Sequence, residues 1–315
     1  MTTRHLIDPE LLPLLEIMPA VDFNAETLPF IRQMSESRFN IMGEPAMTPE
    51  TRVIDGPAGP LEVLWYDPAP GTQARAALLH VHGGGMIIGS ARSMQHGPAA
   101  MAKALGIPIA SVEYRLAPEN PFPAPQEDCL AALAWLAGNA AELGIDTARI
   151  GIIGESAGGG LAAATAQMAR DTGGPALAAQ FLVFPMLDHR TGGPDCLYNN
   201  PCTGEFVWTK PSNRFGWESL RGAYDPVDRR KGWFSPALAE SLADLPPTWI
   251  GTGALDLFLD ENLEYARRLT AAGVPVELHV YAGAPHAFQL VAESRAAQMF
   301  TRDLFGAVSA MLIGQ

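Results

Sequence analysis

The stretch RIGIIGESAGGGLAAATAQMARD, residues 149–171, decides the fold. Its first six residues, 149–154, are almost continuously apolar, as a strand buried on both faces must be. The Ala-rich run 157–171 has the composition and length of a helix. Between them, Gly154-Glu155-Ser156-Ala157-Gly158 carries the spacing G-x-S-x-G. Five such common residues say little alone, but a strand before and a helix after give the setting of a nucleophile elbow. A sharp turn there strains the backbone at the serine, and small neighbours let strand and helix approach. Ser156 would then project at the helix N-terminus. A phosphate cradle is the competing reading, and it lacks the Lys-Ser/Thr ending that such a loop needs.

Outward from this unit, short β-rich runs alternate with longer Ala/Leu-rich ones. AALLHVH (76–82), IPIASVEY (107–114), AAQFLVF (178–184), TWIGT (248–252) and VELHVY (276–281) read as strands. DCLAALAWLAGNAAEL (128–143) and ENLEYARRLTAAG (261–273) read as helices, the second stopping at Gly273 just before Pro275. Prolines 118, 121, 123 and 125 predict irregular structure over RLAPENPFPAP (115–125). The alternation predicts an α/β fold, a mostly parallel central sheet flanked by helices. Two segments break the rhythm. Residues 1–51 carry the patch Leu11, Leu12, Leu14, Leu15 and Met18, and residues 187–235 are irregular and rich in aromatics such as Phe206, Trp208 and Trp217. Long insertions in compact domains are often covers. We therefore expect 1–51 and 187–235 to form a discontinuous, largely helical cap over a core of 52–186 and 236–315.

Of the 315 residues 48% are apolar and 17% charged, with 31 Gly and 27 Pro spread throughout, which excludes disordered, collagen-like and coiled-coil chains. The net charge of −13 repels phosphate backbones and anionic membrane surfaces, so no nucleic-acid partner is expected. Cys129, Cys196 and Cys202 are too few and irregular for a disulfide scaffold or a zinc site, and they read as ordinary thiols. Asp8, Glu10 and Glu16 interrupt the apolar run that a secretory signal requires. No stretch approaches the roughly 18 apolar residues of a membrane span. The expectation is a soluble, cytoplasmic protein without stable membrane insertion.

A serine hydroxyl needs a base to take its proton and a third group to fix the base's tautomer. Seven histidines are available. His80 and His279 fall within strands, as core or edge residues, and His5 lies in the N-terminal segment. His286 sits in AGAPHAF, just beyond VELHVY, where a parallel strand ends and ligand-facing loops emerge. Asp256, in GTGALD, holds the equivalent place after TWIGT. The order Ser156, Asp256, His286 is the one that accompanies this elbow. Asp260 is the rival acid, read instead as capping the next helix. His82-Gly83-Gly84-Gly85 follows AALLHV and would offer backbone N–H donors to an oxyanion, with Ala157 as partner donor.

HGGG (82–85), EYRLAPENPFPAPQED (113–128), GESAGG (154–159), ALDLFLDE (254–261) and PHAF (285–288) together resemble the hormone-sensitive-lipase-like, or bacterial family IV, carboxylesterases, over roughly residues 50–315. The resemblance implies an α/β-hydrolase core with a helical cap and activity on small acyl esters. It implies Ser156 as nucleophile, His286 as general base and Asp256 as its orienting acid. Gly84, Gly85 and Ala157 correspond to the oxyanion donors; Gly83 is a weaker candidate, and His82 would hold the loop. Met86, Ile87 and Ile88, with the cap residues Phe206 and Trp208, would line an apolar pocket for acyl chains. Glu155 stands where the family usually has Asp or Thr, and Ala287 where it commonly has Gly; neither is a triad position. The resemblance also suggests a homodimer through an edge strand near 276–281.

The expected reaction is hydrolysis of small, neutral, short- to medium-chain acyl esters through an acyl-enzyme, with no metal or organic cofactor. An anionic ester would approach a negatively charged molecule and should react poorly. The same chemistry also serves amides, lactones and thioesters. A non-catalytic small-molecule receptor on this fold would have lost catalytic residues, and here serine, acid and histidine are all present.

Overall fold

A computed structural model describes residues 2–39 and 43–314. Met1 and residues 40–42, which belong to the expected cap, lie outside the described residues, as does Gln315. Eight strands form one sheet: β1 (Glu50–Gly56), β2 (Gly59–Tyr66), β3 (Arg75–Val81), β4 (Ile109–Val112), β5 (Ile145–Glu155), β6 (Ala179–Val183), β7 (Thr248–Gly253) and β8 (Val276–Tyr281). Their order is β1-β2-β4-β3-β5-β6-β7-β8. Strand β2 is antiparallel to both neighbours, and every pair from β4 to β8 is parallel.

Alternation along each strand feeds two hydrophobic layers. On β3, Ala77, Leu79 and Val81 join Ile152 of β5 and pack on the helices Ala124–Gly138 and Ala157–Thr172, through residues such as Leu133 and Leu161. Leu78, Ile109, Ile153 and Phe181 point the other way, against Ala99 and Ala102 of the helix His96–Leu105 and Phe300 and Leu304 of the helix Arg295–Val308. Leu79 is fully buried, and its truncation to Ala would cost about 2–5 kcal/mol. Because β3 and β5 to β8 are parallel, the loops after them leave the sheet at one edge. His82–Gly85, Ser156, Phe184, Asp256 and His286 all follow these strand ends.

Residues 2–39 lie in two places. Leu11 and Leu14 are buried with Phe288 and Phe300, and the Asp8 N–H donates to Gly283 O. Phe23 and Leu28 instead join the cluster of Met86, Ile87 and Trp208, beside the helix Leu28–Phe39. Among the described residues no helix is long and apolar enough to cross a membrane.

Several local expectations change. The helix read at 128–143 is two pieces, Ala124–Gly138 and Ala140–Leu143, separated at Asn139. It begins inside the proline-rich run because Pro125 falls in the first turn, where a missing N–H breaks no helical bond. The strand expected at 107–114 is only Ile109–Val112. The β1–β2 hairpin was not assigned from sequence; β1 is mostly solvent-facing, and its residues carry no run of apolar alternation.

Candidate active site

Ser156 stands at φ 57°, ψ −119°, between β5 and the helix Ala157–Thr172. Such a conformation is strained for an L-residue and persists only when neighbours fix it. They do: the Ser156 N–H donates to Val183 O at 2.8 Å, while its carbonyl accepts from Met186 N at 2.9 Å and Gly160 N at 3.0 Å. The flanking glycines are there for space. A Cβ on Gly154 would sit 2.2 Å from Gly158 O, and one on Gly158 would sit 2.0 Å from Val81 O.

His286 lies beside this serine, with Nε2 2.9 Å from Ser156 Oγ and Nδ1 2.7 Å from Asp256 Oδ2. A carboxylate only accepts, so the Asp256 partner places the ring proton on Nδ1 and leaves Nε2 to accept from the serine hydroxyl. Asp256 is fully buried and its other oxygen accepts from Phe258 N at 2.9 Å. Phe184 and Phe258 meet the imidazole edge-on, at centroid distances of 4.8 and 5.3 Å. Both aromatic contacts lay beyond sequence reasoning. Phe184 was the last letter of a strand run, and Phe258 lies in a loop with no periodicity. Asp260 is the second residue of the helix Leu259–Ala271, whose N-cap position is Phe258; it therefore sits in the first turn without capping it.

The HGGG run forms a tight turn. Gly84 (φ 115°), Gly85 (φ 61°) and Met86 (φ 65°) are all left-handed, and Gly84 O accepts from both Ile87 N and Ile88 N at 3.0 Å. A Cβ on Gly84 would lie 2.0 Å from Ile88 O. Among the described residues, the N–H groups of Gly84, Gly85 and Ala157 donate to no backbone carbonyl. His82 is buried beneath the turn, stacked on Tyr114 at 4.1 Å, with its Nδ1–H donating to Gly83 O at 2.8 Å. Burial pushes its pKa down to about 3, so the ring is neutral. The Tyr114 hydroxyl donates to His82 O at 2.9 Å. Gly83 packs against the elbow: its Cβ would lie 3.0 Å from Glu155 O.

Trp208 leans directly on this turn. A Cβ on Gly85 would come within 2.2 Å of the indole edge, and Trp208 Nε1 donates to Asn213 Oδ1 at 3.1 Å. Met86 and Ile87 are buried in the cluster that contains Trp208, whereas Phe206 packs, half-buried, against the opposite layer. His80 is buried with Nδ1 2.8 Å from Ser111 Oγ, and its Nε2 lies 3.1 Å from the carboxylate of Glu155. His279 is on the edge strand, 2.6 Å from Glu277. All three cysteines are free. Among the described residues no group of three or more His, Cys, Asp or Glu is placed to hold a metal ion.

Residues 78–290 match the family model described as alpha/beta hydrolase fold, and the chain belongs to that family. Its relatives carry the resemblance to the hormone-sensitive-lipase-like esterases further. The chain is 36% identical to esterase LipI of Mycobacterium tuberculosis, covering 88% of this chain and 86% of the relative. It is 34% identical to an ethyl acetate hydrolase of Pseudomonas putida, covering 82% and 81% respectively. Among solved structures, a bacterial heroin esterase superposes with a TM-score of 0.88 at 36% identity, covering 99% of each chain.

Proposed function

We propose that this carboxylic ester hydrolase works as a serine esterase through a covalent acyl-enzyme. The unbroken hydrogen-bonded line from Asp256 through His286 to Ser156 Oγ, with the glycine turn packed on the elbow at Gly83 and the Gly84, Gly85 and Ala157 amides without a backbone acceptor, carries the reading. Ser156 Oγ attacks the ester carbonyl while His286 Nε2 takes its proton, and the carbonyl oxygen becomes an oxyanion. The N–H groups of Gly84, Gly85 and Ala157 hold that oxygen, each worth about 10²- to 10³-fold in rate. Collapse breaks the C–O bond, and the alcohol leaves with the proton from His286. Water then attacks the acyl carbonyl, giving its proton to His286, and the second collapse releases the acid and restores Ser156. Asp256 keeps the imidazole in register and stabilises the imidazolium.

Residues 1–51 and 187–235 act as the cap in this reading. Contacts of Phe23 and Leu28 with the cluster at Trp208 support that role, as does the Ser212 hydroxyl, which donates to Val21 O at 3.0 Å. The substrate is a small neutral ester with a short- to medium-length acyl group: Trp208 crowds Gly85, the chain is strongly acidic, and a relative is named for ethyl acetate. A cytoplasmic location and a homodimer through β8, where Leu278 and Val280 are exposed, complete the reading; nucleic acid is not a partner. Initial rates over an acyl-length series of p-nitrophenyl esters beside matched amides test it. Esters of acetate to octanoate should be turned over far faster than any amide; amides matching them would move the main activity to C–N bonds.

A further inference from the structure

The glycine turn is held from outside by a residue whose hydrogen bonds go to Ile87, Ala117 and Glu119 and not to Ser156, His286 or Asp256. Arg32 lies on the helix Leu28–Phe39, which precedes the whole sheet in sequence. Its Nε donates to Ile87 O at 2.8 Å, and Nη2 donates to Ala117 O at 2.9 Å. The outer edge of the guanidinium also meets Glu119, at 2.7 Å from Nη1 and 2.9 Å from Nη2. Ile87 closes the turn whose carbonyl anchor is Gly84, and Ala117 N donates to Met86 O at 2.9 Å. One planar cation therefore ties together the far end of the Gly84–Ile88 turn and the strand of chain that backs it. Four of the five N–H donors of the guanidinium are used in one fixed planar fork, which an ammonium cannot reproduce.

We infer that Arg32 is a positioning residue for the oxyanion turn, making correct placement of the Gly84 and Gly85 amides depend on docking of the N-terminal helix. The inference rests on the proposed role of those amides. The two carbonyl contacts, rather than the Glu119 pair, carry the effect. Glu119 is 57% exposed, and such ion pairs in water contribute little. Within the turn Met86 is a non-glycine residue at φ 65°, so its conformation needs external support. The helix leaves Phe30 and Met34 exposed and meets the core through Leu28 and Ile31 beside Met86, Ile87 and Trp208, so its loosening should disturb the turn before it unfolds the sheet.

The test compares Arg32→Ala, Arg32→Lys and Glu119→Gln with the parent in the full chain, on p-nitrophenyl acetate. Arg32→Ala should lower kcat about 10- to 100-fold with KM within about twofold, because the donors matter most when the oxyanion forms. Arg32→Lys, which keeps the charge and carries little folding risk, should lose nearly as much. Glu119→Gln should lose no more than about fivefold. Millimolar guanidinium should restore part of the Arg32→Ala rate, and equal methylammonium or sodium should not, a response that a general loosening of the fold would not give. Full activity in Arg32→Lys, or loss in Glu119→Gln equal to that in Arg32→Ala, would reduce Arg32 to a surface anchor and overturn the inference. Ser156→Ala, run alongside, separates the two levels: if it stays active the underlying reading fails, and if it is dead while Arg32→Ala is unimpaired only this inference fails.

Discussion

Ser156 Oγ and His286 Nε2 stand 2.9 Å apart although 130 residues of chain separate them. Parallel strands account for the meeting, since Ser156 follows β5 and His286 follows β8 at the same edge of the sheet. The imidazole is held by two T-shaped aromatic contacts as well as at its nitrogens. Phe184 and Phe258 flank it, and the carboxylate of Asp256 is fully shielded from water. The proposed base, fixed by these four contacts, would need little reorganisation when the proton moves.

The contact between Trp208 and Gly85 predicts a change of specificity. Trp208 is 6% exposed, and its indole fills the space beside an amide proposed to bind the oxyanion. Trp208→Ala should raise the octanoate-to-acetate ratio of kcat/KM by about tenfold or more, since methylenes gaining an apolar pocket are worth that much. Its stability should fall by about 3–5 kcal/mol. An unchanged ratio in the p-nitrophenyl ester series would remove Trp208 from the acyl pocket.

Ala287, directly after His286, sits at φ 60°, ψ 26°. This left-handed conformation costs an L-residue about 1–2 kcal/mol. Glycine adopts it freely but has more unfolded-state freedom to lose, so Ala287→Gly should stabilise by about 0.5–1 kcal/mol net. The urea midpoint should rise with an unchanged slope. A lower midpoint would mean that the methyl group is gripped by its surroundings.

His82 makes stability depend on acidity. Its pKa falls from 6.5 in the free side chain to about 3 here, because burial disfavours the charged ring. The unfolded chain then binds the extra proton, so stability is full above about pH 6.5 and declines as the pH drops towards 3, by about 1.4 kcal/mol per unit. Glu113 works in the opposite sense. Burial raises its pKa to about 7, so its contribution is full below about 4.5 and is lost as the pH rises through 7. Urea titrations of the parent and His82→Asn at several pH values should show the steeper acid decline in the parent. Parallel curves would contradict a neutral buried ring.

Much of this architecture is legible in the sequence, because β3, β6, β7 and residues 150–154 of β5 are buried on both faces and announce themselves as apolar runs. The motif order also picked out three side chains that the fold brings together, Ser156, Asp256 and His286. What stayed hidden depends on contacts between distant segments. Arg32 carries no local signal for two carbonyls at 87 and 117, and nothing near Glu155 points to His80 on the next strand. The edge strand β1 escaped notice because it faces solvent and alternates weakly, and the helix starting at Ala124 because prolines mark helix starts as readily as breaks.

The central claim is that Ser156 becomes acylated. Intact-protein mass spectrometry after treatment with a p-nitrophenyl phosphonate measures this directly. The parent chain should gain one phosphonyl group, mapped by peptide analysis to Ser156, and lose ester hydrolysis in parallel. Ser156→Ala should take up none and hydrolyse p-nitrophenyl acetate no faster than background. Labelling at another residue, or turnover by Ser156→Ala comparable with the parent, would contradict the account.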